Sequence, residues 1–267
     1  MRLGVRHPAL GAQSLEDAFQ KAAELEVEGI EVVYDYARDA TALGQADHAK
    51  ELASLGENYG LVVTSLDLNF LCAKPTLIGA ESDIAEARDF IGRALATAAG
   101  AGAGVVLVPF LGKNTIETEA ELQTAGDAML ELVDPAGEAD VILAIESTLN
   151  RHQQLFLLDY LGNTPHVKIY FNTGVAAARK LDVAIVLRDL GSEKVGQVHF
   201  QDVRLTPGKP PDYGVPLGEG NVDFGAVTQA LRAIGYEGWV ILEPPMADRS
   251  LASVKADLVF ARDALSG

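Results

Sequence analysis

The sequence predicts an α/β fold: a single eight-stranded barrel of parallel strands ringed by helices. Three observations carry this. Strand and helix patterns alternate strictly along the chain in eight units, which argues for parallel strands joined by right-handed crossovers. The chain has 267 residues, close to the ~250 typical of a closed α/β barrel. Four apolar strands end on a polar side chain: VILAIES at Glu146, VKIYFN at Asn172, KVGQVHFQDVR at His199 and WVILE at Glu243. Parallel neighbours bring such ends to one rim, where barrels of this kind keep their chemistry. An open doubly wound sheet is the alternative. No linker, low-complexity stretch or composition shift divides the chain, so residues 1–267 read as one domain.

In order, Leu3–Val5 is the first strand, and Ser14 can cap the helix that follows, with Asp17 in the position of a capping-box acid. Gly29–Val33 is the second strand, with Glu31 inside it, placed either to hydrogen-bond a substrate or to buttress the barrel. Ala46–Tyr59 is a helix closed by Gly60. Leu61–Leu66 is the third strand, and 67–79 a loop. In Glu81–Ala99 the residues Ile84, Ala87, Ile91, Ala94, Leu95 and Ala98 recur at helical spacing. The Gly-Ala-Gly-Ala-Gly run at 100–104 follows a helix and precedes a strand, the reverse of a phosphate-cradling loop.

Val105–Val108 is the fourth strand, and the helix from Thr118 is expected to stop at Val133, before Pro135. Val141–Ile145, Val167–Phe171 and Val195–Phe200 are the fifth to seventh strands, with helices at Gln153–Leu161 and Val183–Leu190. The segment 202–222 is the longest irregular loop, rich in Pro and Gly, and directly follows His199; it is expected to cover the barrel mouth. Asp223 caps the helix Phe224–Ile234, Gly238–Leu242 is the eighth strand, and Ser250–Leu265 the last helix.

Composition narrows the function. Twenty-one basic residues against 38 acidic ones give a net charge of −17, which disfavours nucleic acid and anionic membranes as partners. A single cysteine, Cys72, excludes an internal disulfide. The stretch MRLGVRHPALG has no apolar run of signal-peptide length, and no segment approaches the ~18 apolar residues of a membrane span. The expectation is a cytoplasmic enzyme, with a homo-oligomer possible.

The four strand ends offer two carboxylates, one amide and one imidazole. Such a set suits Mn²⁺, Mg²⁺ or Co²⁺ better than a thiolate-preferring ion. A divalent cation there would polarise a carbonyl and stabilise the enediolate formed when a neighbouring C–H proton leaves. Glu146 and Glu243, from the fifth and eighth strands, could then serve as base and acid on its two faces. Asn150 and Arg151 follow Glu146 closely enough to reach a substrate hydroxyl or phosphate; the competing reading is a surface helix start. Asp202 and Arg204, just past His199, are assigned to substrate or to supporting the site, and His7, ending the first strand, to the mouth. Lys113 and Lys74 are the loop lysines that could neutralise a phosphate.

Five motifs extend the argument: LAIESTLNR (143–151), KIYFNTG (168–174), VGQVHFQDVR (195–204), PLGEGNVDF (216–224) and GYEGWVILE (235–243). Through them the whole chain resembles the sugar-phosphate isomerase/epimerase group of the xylose-isomerase-like TIM barrels. That superfamily also holds ketose 3-epimerases, inosose dehydratases and endonuclease IV. The resemblance implies metal ligands at Glu146, position 172, His199 and Glu243. It implies an isomerase or epimerase acting on a small ketose, ketose phosphate or cyclitol, with a dehydratase as the alternative enzyme. At 172 the family carries Asp, and this chain has Asn172 followed by Val175, which lacks the polar group members use on substrate. The implied consequence is weaker or absent metal binding, and with it the alternative of a non-catalytic sugar-binding barrel. The endonuclease reading lacks the extra His and Asp ligands of a multi-zinc cluster.

Overall fold

A computed structural model describes residues 1–36, 39–244 and 250–266. Eight parallel strands close into a barrel in sequence order. They are β1 (Arg2–Arg6), β2 (Gly29–Val33), β3 (Val62–Asp67), β4 (Val105–Phe110), β5 (Ile142–Ser147), β6 (Val167–Asn172), β7 (Val195–Phe200) and β8 (Trp239–Leu242). The seam is β1 on β8, with Val5 opposite Leu242. The helices are α1 (Leu15–Glu24), α2 (Ala46–Tyr59), α3 (Glu81–Ala101), α4 (Glu119–Ala139), α5 (Arg151–Tyr160), α6 (Thr173–Ala178), α7 (Val183–Leu190), α8 (Phe224–Ala233) and α9 (Leu251–Ser266).

The helix starts follow local chemistry. Ser14 Oγ accepts from the Asp17 amide, while the Asp17 carboxylate reaches back to the Gln13 amide. Thr118 and Glu121 form a reciprocal capping box at α4. The helix α4 does not stop before Pro135 but runs through it to Ala139. Pro135 sits on the exposed side, while Leu132 and Ala136 are buried against the barrel, and that apolar face carries the helix past the missing amide. The short helix α6 opens directly on the last residue of β6 and was not anticipated; its six residues, TGVAAA, are too few to show a period.

Two apolar regions differ sharply in size. The main core lies between the outer face of the strands and the helices. The second, inside the barrel, is Val105, Leu107, Ala144 and Tyr170. Above it, toward the C-terminal ends of the strands, the inner wall carries a set of buried polar side chains. Side chains two apart on one strand share a face, so Ser65 and Asp67, Tyr170 and Asn172, and Gln197 and His199 all belong to the same wall, and all are buried. Among the described residues no helix is long and apolar enough to cross a membrane.

Candidate active site

At the C-terminal mouth lies a cavity of about 330 Å³ lined by residues of several strand ends and loops, including Arg6, Asn69, Thr148, Asn172, Gln201, Tyr213 and Glu243. A larger groove of about 600 Å³ runs on the outer surface beside α4 and α5, past Leu122, His152 and Phe156. The mouth cavity is the candidate site because the ionisable groups converge there.

Glu146, Asn172, His199 and Glu243 meet at its floor, as the four strand ends predict. Asn172 Nδ2 donates to Glu146 Oε1 at 2.8 Å and to Glu243 Oε2 at 3.0 Å. His199 Nδ1 lies 3.2 Å from Glu243 Oε2 and 3.8 Å from Glu146 Oε1. It is buried and in hydrogen-bond geometry with neither.

Beneath them Glu31, fully buried, is the hub of a network of side chains, the arrangement of the buttressing alternative. Its Oε1 meets His199 Nε2 at 2.9 Å, and its Oε2 accepts from Ser65 Oγ and Tyr170 OH, both at 2.7 Å. Gln197 Nε2 then donates to Ser65 and Tyr170. Burial pushes the Glu31 carboxyl up, but His199, Arg6 and the Tyr170 hydroxyl outweigh it and hold it at about 2. His199, though burial disfavours its charge, is driven well above its ordinary value by Glu31 and Glu243.

The sequence reading missed Arg6 and Asp67. The Arg6 guanidinium bridges Glu243 Oε1 and Asp67 Oδ2, with Nε 3.2 Å from Glu31 Oε1. Asp67 Oδ1 is buried without a partner. Burial, with Glu31 and Glu146 nearby, raises the Asp67 carboxyl to about 8 against the pull of Arg6. Glu243 is likewise raised by burial and by Glu146 and Glu31, with Arg6 and His199 opposing. The signal for both residues was available: β1 and β3 also end on a polar side chain.

The five residues expected on substrate have other partners, and none lines the cavity. His7 Nδ1 accepts from the Val33 amide at 2.9 Å, and burial lowers it to about 4, so it is neutral. Asn150 caps α5, accepting from the His152 and Gln153 amides, and Arg151 pairs with Asp189. Arg204, exposed, bridges in antiparallel fashion to Asp212 and donates to the Glu219 carbonyl. The buried Asp202 carboxylate accepts from the amides of Val203, Gly218, Gly220 and Val222, between 2.8 and 3.1 Å. A Cβ at Gly220 would stand 2.3 Å from Asp202 Oδ1, so only glycine lets the chain approach. Asp202 thus organises the loop that follows β7, and that loop places Tyr213 in the cavity wall.

The donor set can be tested for a divalent ion. Glu146, His199 and Glu243 each offer an atom within 4.8 Å of the others. The unpartnered Nδ1 of His199, with Nε2 anchored on Glu31, has the arrangement of a ligating imidazole. Asn172 differs. Its Oδ1 caps α6 by accepting from the Val175 amide at 3.0 Å, and its NH₂ faces the carboxylates. An aspartate can cap with one oxygen and ligate with the other; asparagine has one oxygen and must choose. Three ligand atoms fit a cation, and the fourth position presents N–H groups instead of a lone pair.

A closed parallel barrel whose strand ends gather carboxylates, an amide and an imidazole around a mouth cavity defines a TIM barrel with its candidate site at the C-terminal rim. The chain belongs to the xylose isomerase-like TIM barrel family, whose model matches residues 19–264. A D-psicose 3-epimerase of Enterocloster bolteae is 32% identical over 124 residues, 43% of this chain and 37% of that protein. The putative L-ribulose-5-phosphate 3-epimerase SgbU of Escherichia coli K12 is 27% identical over 131 residues, 47% of this chain and 46% of that protein. Each match thus spans less than half of the relative. The crystal structure of the E. coli 3-keto-D-glucoside 4-epimerase YcjR superposes with a TM-score of 0.79 at 19% identity, covering 98% of this chain and 99% of that one.

Proposed function

We propose that the protein is a sugar epimerase or isomerase that moves a proton on the carbon beside a ketose carbonyl. The observation that supports this most is the pair Glu146 and Glu243, brought within 4.8 Å of one another at the cavity floor. Relatives named as 3-epimerases of psicose and ribulose 5-phosphate point the same way. Glu146, on β5, takes the proton from the carbon and leaves an enediolate. Glu243, whose carboxyl burial holds above its ordinary value, returns a proton to the opposite face. Asn172 sits between them and fixes both carboxylates. Asn69, Thr115, Thr148, Gln201 and Tyr213 supply hydroxyl-binding groups along the wall. A divalent ion held by Glu146, His199 and Glu243 would supply polarisation of the substrate carbonyl.

A second reading, a sugar-binding barrel without catalysis, is favoured by Asn172, whose NH₂ occupies both glutamates. One experiment separates them. Ketoses, ketose phosphates and cyclitols are incubated with the protein and Mn²⁺ in D₂O, and deuterium at the carbon next to the carbonyl is read by NMR. Exchange that disappears in Glu146→Gln is the expected result. Sugar binding without exchange of any substrate selects the second reading.

A further inference from the structure

Among the described residues, Arg6 is the one lysine or arginine lining the mouth cavity. It comes from the end of β1 and touches the carboxyl groups of Glu31 in β2, Asp67 in β3 and Glu243 just past β8 at once. Guanidinium suits this use: planar, always charged, and with several donors in a fixed fork. Glu243 is divided between two sides. Its Oε1 belongs to Arg6, while its Oε2 faces Asn172 Nδ2 and His199 Nδ1, where a divalent ion would have to bind. Such an ion would share a single carboxylate with the guanidinium, and two cations a few ångströms apart in a buried site repel strongly.

We propose that Arg6 is a resident cation of this site: it assembles the carboxylate cluster without a divalent ion, and it opposes the ion when one binds. The proposal rests on the reading above only for where the ion sits, and its test uses no sugar. A lack of sugar exchange therefore leaves it standing, and its failure leaves the exchange experiment untouched. Two consequences follow from the geometry. The metal-free protein keeps its site, because Glu31, Asp67 and Glu243 already have a positive partner. Removing the guanidinium leaves Asp67 Oδ2 and Glu243 Oε1 without their positive partner and hands that neutralising role to the ion.

The test is isothermal titration with Mn²⁺ and thermal melting in chelator and in Mn²⁺, on wild type, Arg6→Met and Arg6→Lys. Expected for the wild type is a melting temperature that Mn²⁺ raises only slightly above its value in chelator. Expected for Arg6→Met is Mn²⁺ affinity higher by roughly ten-fold or more, the scale on which groups bonded to ligands alter a metal site, and a melt that depends on Mn²⁺. Arg6→Lys, a point charge without the fork, falls between. If Arg6→Met folds only when Mn²⁺ is present, the proposal is also supported. It is overturned if Arg6→Met binds Mn²⁺ no more tightly than wild type, or if chelator destabilises the wild type as much as the variant. Should Arg6→Met fail to fold in either condition, Arg6→Lys decides: affinity no higher than wild type overturns the proposal.

Discussion

Replacing Asn172 by aspartate exchanges a hydrogen-bond donor for a charge at the centre of the site. In the wild type the Asn172 amide makes two hydrogen bonds to carboxylates, at 2.8 and 3.0 Å, and its oxygen caps α6. Aspartate preserves the cap through one oxygen and turns the other toward Glu146 and Glu243. Hydrogen bonds to charged groups contribute ~1.5–3 kcal/mol each, so losing both costs about 3–6 kcal/mol in the metal-free variant, before repulsion is added. For a chain of this size that is a fall in melting temperature of order 10 °C. A divalent ion reverses the sign, because three carboxylates and an imidazole then surround it. Melting in chelator and in Mn²⁺, together with titration, reads both effects. The variant is expected to melt well below wild type in chelator, to recover in Mn²⁺, and to bind Mn²⁺ roughly ten-fold more tightly or better. A variant as stable as wild type in chelator, with no gain in affinity, would show that position 172 does not govern the ion site.

Asp67 gives a pH test. Its folded value, about 8, lies above that of an unfolded aspartate, so its contribution is full below the unfolded value and is lost as pH rises through about 8. Asp67→Asn is therefore expected to gain melting temperature relative to wild type as pH rises across that window; a constant difference across the window refutes the assignment. Asp202 tests the loop: Asp202→Ala strands four amides that now share one carboxylate. At ~1.5–3 kcal/mol for a hydrogen bond to a charged group, and less at the three amides that water partly reaches, a loss above about 3 kcal/mol in urea unfolding is expected, and a loss below about 1 kcal/mol would mean that the loop holds itself without it.

The barrel and most of its element bounds were legible because the apolar runs and caps are local signals. Gly29–Val33, Ala46–Tyr59 and Val195–Phe200 match the sequence reading residue for residue. The four convergent strand ends followed from one rule, and Arg6 and Asp67 escaped because β1 and β3 were ended at Val5 and Leu66, one residue short of the polar group. Tyr170 and Gln197 were also within reach. Each lies two residues before a predicted site residue and so faces the same way, but both sat inside runs read as uniformly apolar. The orientation of Asn172 was not legible. It depends on α6 beginning at Thr173 and needing a cap, and on two glutamates distant in sequence. Asn150 and Asp202 show the converse: short polar side chains beside a site motif served the backbone instead, as Asn and Asp do wherever amides lack partners.

The contact between Arg6 and Glu243 joins residues 237 positions apart and lies on the seam where the first strand meets the last. Assembly of the carboxylate cluster and closure of the barrel are therefore one event. A partly folded chain holding β3 to β6 would carry Glu146 and Asn172 but neither side chain that completes the ring. Detaching either seam strand, a local opening short of global unfolding, would dismantle the centre while β4 and β5, paired from Val105 to Phe110, stay in register. In mild denaturant, Mn²⁺ binding would fade before the helical signal does, and hydrogen exchange at Val5 and Leu242 would report the loss as it happens.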